Sequence, residues 1–138
     1  MFLNDTDYTL VIGSKALDVI SQADEKVRSE AEKEAVEEMS SYLRPNFDVE
    51  AIFSAEGDDR NRQLVMYACD IALYHMAASL PARMGIEIRK ERYERAIKWL
   101  EGVQAGKILP DLPHHVDEDD QSSGQIRYGS QTMVDNSY

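Results

Sequence analysis

One stretch of this chain, LVMYACDIALYHMAASL at 64–80, is apolar almost all the way round a helix. A helix with no wet face belongs at the centre of a bundle, where every side meets another element. A helix over residues 60–80 would span about 30 Å, the width of a small domain and also of a membrane. Asp70 and His75 interrupt the apolar run and Arg60 and Arg62 make its start hydrophilic, so the segment reads as a core helix and not as a membrane span. Pro81 and Gly85 break it.

A central helix needs amphipathic partners, and two are visible. From Asp24 to Leu43, the residues Val27, Ala31, Ala35, Met39 and Tyr42 share a stripe about 120° wide at helical spacing. Lys26, Glu30, Glu32, Lys33, Glu34 and Glu37 take most of the opposite side, while Arg28 and Glu38 fall inside the stripe without an evident reason. Pro45 stops this helix, since it lacks an N–H and restricts Arg44 before it. From Glu87 to Ala105, Tyr93, Ala96, Ile97, Leu100 and Val103 restore the apolar side, and Gly106–Lys107 provides a stop. A short leading helix, KALDVIS, is expected after Ser14 as its cap. In the linker between the first two long helices, Phe47, Val49, Ile52 and Phe53 should fold back on the core, with Asp48 capping one short turn. The expected fold is all-α: three main helices plus a short N-terminal one.

A chain of 138 residues fits one such domain. Asp and Glu total 26 against 15 Lys and Arg, a net charge of −11, which argues against sequence-independent binding to nucleic-acid phosphates or to an anionic membrane surface. The single Cys69 cannot form an internal disulfide, and MFLNDTD shows no secretory signal, so the chain reads as soluble and intracellular in type. The imbalance is uneven: residues 111–138 hold six acidic residues and only Arg127 as a base. The division expected is therefore a helical bundle at 1–110 and an acidic, extended C-terminal tail at 111–138, too poor in apolar residues to offset its ordering entropy. Within that tail GQIRYGS (124–130) alternates Ile126 and Tyr128 around Arg127, the pattern of a short strand that could add to another chain.

No constellation of catalytic or ligand-binding residues stands out. Cys69 and His75 diverge on a helix and lack the spacing of zinc ligands; Cys69 reads as a small buried hydrophobe. An isolated carboxylate in an apolar helix is costly unless paired, so Asp70 should bond Arg89 or Arg92 of the next helix, or Tyr74. His75 reads as a core-edge histidine bonded to a carbonyl. His114 and His115 before DEDD (117–120) do not space as a metal site. Gly102 and Gly106 make no phosphate loop, and no nucleophile elbow is present. RKERYER (89–95) mixes both signs and reads as an exposed face with pairs such as Glu91–Arg95. The expectation is a protein that is not an enzyme and has no cofactor, no metal site and no catalytic residues, with Asp70 and His75 as structural buried polar groups.

Four blocks together, MSSYLRPNFDVEAIF (39–53), RQLVMYACDIALYHM (62–76), IRKERYERAIKWLEGVQAGKILPDLP (88–113) and GQIRYGS, resemble small tailed-phage and prophage proteins encoded among Mu-like head genes. The ending Y-E-x-A-I-x-W-L-x-x-V-x-x-G-K-I is its most distinctive part. The chain also looks like the wider set of helical head–tail connectors. That resemblance implies a virion neck component, made in the bacterial host cytoplasm, that forms a ring of identical copies under the portal. Its partners would be itself, the portal protein and other tail or neck proteins, with DNA only passing through the channel and no membrane involved. The tail would dock on a neighbour or on the portal through Gln125, Ile126, Arg127, Tyr128 and Gly129, while the mixed-sign faces 26–38 and 87–98 would set register. Two other classes fit the residues: a soluble regulator or DNA mimic using the acidic tail, and a metal-dependent hydrolase around Asp70, His75, His114 and His115.

Overall fold

The chain starts a helix sooner than its sequence pattern suggested. Asn4 accepts a hydrogen bond from the Asp7 N–H at 3.0 Å, and the Asp7 carboxylate accepts one from the Asn4 N–H at 2.8 Å. This reciprocal box satisfies two orphan donors and opens α1, Asp5–Val11. A computed structural model describes residues 2–79 and 86–115. Helix α2, Ser14–Ile20, begins after Gly13, which makes no side-chain cap, so Ser14 is the first helical residue and not the cap expected of it. Asp24 does cap α3, Glu25–Leu43, its carboxylate accepting from the Lys26 N–H at 2.9 Å. Asp48 caps the short α4, Val49–Ser54, through the Ala51 N–H at 3.1 Å. A single 3-10 turn at Gly57–Asp59 leads to Asn61, which caps α5, Arg62–Ala78. Helix α6 runs Ile86–Gln104.

The fold is all-α, with no strand among the described residues. Helix α5 is the centre: it packs on α3 along one side, on α6 along another, and on α1 and α2 along a third. Leu64, Ala68, Cys69, Ile71, Ala72, Leu73, Met76 and Ala77 are all buried, as an apolar girdle predicts. Tyr67 against Trp99 and Tyr74 against Tyr93, with ring centres 5.0 and 4.3 Å apart, show α5 and α6 antiparallel. His75 beside Glu34 and Glu38, with Met76 and Ser79 near Asp24–Val27, make α3 antiparallel to α5 as well. Helices α3 and α6 therefore finish at the same end of the bundle.

At that end the chain turns back on itself. Gly106 takes a left-handed φ of +79°, and the Lys107 and Ile108 N–H groups donate to the Gly102 carbonyl at 2.9 and 3.1 Å. Ile108 then lies so close to Gly102 that a Cβ there would meet its Cδ1 at 2.6 Å. The chain does not leave the body at residue 110. Leu112 is buried, the Asp48 N–H donates to the Pro113 carbonyl at 2.9 Å, and a single antiparallel bridge pairs Phe47 with His114. His114 stacks on Phe47 at 4.9 Å, and His115 Nε2 donates to the Arg44 carbonyl at 2.5 Å. The two histidines thus serve the docking of residues 111–115 and point to different partners. The apolar residues Phe47 and Ile52 are buried as expected, and Leu112 gives 111–115 the anchor that its composition concealed.

Candidate functional site

Four polar assemblies hold or interrupt this core. The first closes the N-terminal segment over α3. Glu32, assigned by its spacing to the wet side of α3, is instead 4% exposed. Its carboxylate accepts from the Leu3 N–H at 3.2 Å and the Tyr8 hydroxyl at 3.0 Å. Burial and the Glu32 charge push the Tyr8 phenol up, so it stays a donor. Arg28, unexplained within the apolar stripe, covers the Tyr8 ring at 5.1 Å and pairs with Asp5. The second assembly is a fork: Arg60 meets both oxygens of Asp7 at 2.5 and 3.1 Å and donates to the Phe2 carbonyl at 2.7 Å.

The third joins all three long helices at Glu38, the other residue that the stripe left unexplained. Its carboxylate lies 3.0 Å from His75 Nε2 and accepts from the Tyr93 hydroxyl. His75 is half-buried and its partner is a carboxylate, not the backbone carbonyl expected. Burial, reinforced by the Glu38 bond and charge, pushes the Tyr93 phenol up.

The fourth surrounds Asp70, which is 1% exposed. Arg92 Nε donates to Asp70 Oδ1 at 2.7 Å, so Arg92 is the partner and Tyr74 is not. Burial raises the Asp70 carboxyl; the Arg92 bond and charge, then the charges of Arg89 and Arg95, oppose that rise. Arg89 is 7% exposed, and its Nη1 is buried without a hydrogen-bond partner. Burial, then the neighbouring Arg92 charge, lower its pKa. The expected exposed face at 89–95 is thus corrected: Arg89 continues the apolar stripe one turn before Tyr93, and no Glu91–Arg95 ion pair forms among the described residues. Cys69 is buried, and burial, then the Asp7 and Asp70 charges, push its thiol up.

Among the described residues, no group of three or more His, Cys, Asp or Glu is placed to hold a metal ion, and no helix is long and apolar enough to cross a membrane. Gln125, Ile126, Arg127, Tyr128 and Gly129 lie outside the described residues.

The family model described as Bacteriophage Mu, Gp36 matches residues 3–128, nearly the whole chain. The chain belongs to the Bacteriophage Mu Gp36 family. This is a Mu-like phage head-region family, and membership makes the chain a head-related phage protein. The Gp36 match takes in α1 through α6, and continues thirteen residues past His115 to Tyr128. No curated protein and no solved structure matches the chain.

Proposed function

We propose that this Gp36-family chain is a structural head–tail connector. Copies form a ring beneath the portal, and the C-terminal arm docks on the portal or on a neighbouring copy. The observation that carries this reading is the extent of the family match, which includes 116–128 as well as the helical body. In this chain 116–128 is acidic, with Ser122, Ser123 and Gly124, and fits an arm that orders on assembly, offsetting its ordering cost with contacts to another chain. Its root is suited to that use: residues 111–115 are held by Leu112, the Pro113 carbonyl and the His114–Phe47 stack. In the arm, Gln125–Gly129 would add as a strand to an exposed edge, with Ile126 and Tyr128 as anchors. The role is structural and not catalytic, and DNA would pass the acidic ring without tight binding.

The test is a chain ending after His115, compared with the full chain for attachment to purified portal. Residues 111–115 stay because the body uses them. The expected result is an unchanged thermal midpoint with attachment lost. A shortened chain that attaches as well as the full one overturns the reading.

A further inference from the structure

Between α2 and α3 the residue order and the backbone disagree. No Gly or Pro occurs from Ser14 to Arg44, yet the chain turns at Ser21–Asp24, with Gln22 and Ala23 both at left-handed φ, +58° and +52°. Glycine takes such positions at no steric cost. Here they hold alanine, the strongest helix former, beside glutamine, another good one. The apolar pattern also runs straight through the turn. At about 100° per residue from Val27, Ile20 falls at about 20° and Leu17 at about 80°, inside the stripe of Ala31, Ala35 and Met39. A local preference for one continuous helix is thus overridden by the docking of residues 2–20. Leu3 and Tyr8 hold Glu32, Asp7 and the Phe2 carbonyl hold Arg60, and Asp5 holds Arg28. All of those partners lie beyond the turn, so the body of an identical chain offers this arm the same bonds.

We propose that α2 and α3 straighten into one helix and pass the N-terminal arm, residues 2–20, to the vacated seat on a second copy of the chain. Short hinges under strain favour such exchange. In the straight form Ser14–Leu43 is a helix about 45 Å long. Gln22 and Ala23 leave the left-handed region, and the Lys26 N–H, bonded in the closed form by the Asp24 side chain, bonds the Gln22 carbonyl instead. The straight helix carries Gly13 about 18 Å beyond the start of α3, away from the chain's own Glu32 and Arg60. The receiving body is a second copy because its empty seat matches the arm residue for residue. Apolar burial and polar bonds are the same before and after exchange, so the hinge decides the balance. Leu10 and Val19 stand exposed on the arm and add apolar contact between bodies once it is exchanged. Passed one way from each copy to the next, the arm makes the head-to-tail contact that a closed ring requires. The inference deepens the ring part of the proposed function and rests on it, but needs no portal.

The experiment uses the full chain, concentrated, warmed below its thermal midpoint so that arms can open, cooled, and sized by light scattering. The wild type should form dimers or larger species. Ala23→Gly eases the closed turn and weakens the straight helix, so it should associate at least about tenfold more weakly. Asp24→Ala removes a cap that only the closed turn needs, so it should associate more strongly. A third chain, Asp5→Cys with Arg28→Cys, places one thiol on the arm and one on its seat, while Cys69 stays buried. Treated with a short bifunctional thiol reagent, its associated fraction should yield links between chains and its monomer fraction links within one. A wild type that stays monomeric overturns the inference. So does either turn variant that associates as the wild type does or shifts the other way, and so do associated species linked only within chains. Failure here with normal portal attachment leaves the connector reading standing; arm exchange without portal attachment does the reverse.

Discussion

Helix α5 is flanked by two kinds of buried charge. On the side covered by the N-terminal segment, Asp7 receives two arginine donors and Glu32 receives the Leu3 N–H and Tyr8 hydroxyl. On the α6 side Asp70 receives one donor, with two further guanidinium groups crowded near it and one nitrogen buried without an acceptor. Burying charge costs several kcal/mol on either flank. The first flank has its arginine and carboxylates hydrogen-bonded, which is what a structural clasp needs. The second is left incompletely satisfied, because Arg89 Nη1 is buried and meets no acceptor among the described residues.

Replacing one arginine on each flank tests that contrast most sharply. Arg60→Met should cost about 3 kcal/mol in denaturant unfolding, because Asp7 is left buried without its fork. Arg89→Met, similar in volume and also apolar, should be neutral or up to about 1 kcal/mol stabilising. Equal losses from both would erase the distinction.

A smaller effect concerns pH on the α6 flank. Burial holds the folded-state pKa of Asp70 above its unfolded value, so the folded chain binds that proton more tightly. Asp70's stabilising contribution is therefore full at pH below the unfolded pKa and is lost as pH rises through the raised one. Against Asp70→Asn, which keeps an acceptor for Arg92, the wild type should lose relative stability across that rise. Thermal midpoints over a pH series read it. A relative gain instead would mean that the arginines outweigh burial.

The smallest change lies outside both flanks and serves as their control. Gln22 and Ala23 both adopt left-handed φ, +58° and +52°, in the turn between α2 and α3. Ala23→Gly should stabilise by about 1 kcal/mol without altering either assembly, as read by chemical denaturation. A destabilised variant would show that the turn does not hold the strain its angles indicate.

Much of the body was legible from residue order. The apolar girdle of 64–77 put α5 at the centre, Asp24 and Asp48 announced their helices, and Gly106 marked the end of α6. The missed α1 had a visible signal in the Asn4/Asp7 box, but its single turn of apolar residues gives no period to read. Missing α1 also hid the reasons for Arg28 and Glu32, whose partners are more than twenty residues distant in sequence. Glu38 and Arg89 were obscured likewise, since spacing tells which way a residue faces but not what waits there.

By itself, then, the sequence determined which long helices form, which of them is innermost, and which phage family the chain joins. Those follow from local propensity, apolar period and pattern, all of which are written along the chain. Tertiary structure alone decided that Glu32 would be buried and satisfied, that Arg89 would be buried and not, and that 111–115 would belong to the body. The physical reason is that a polar side chain's cost depends on donors and acceptors brought to it by other elements, and no single segment contains that information.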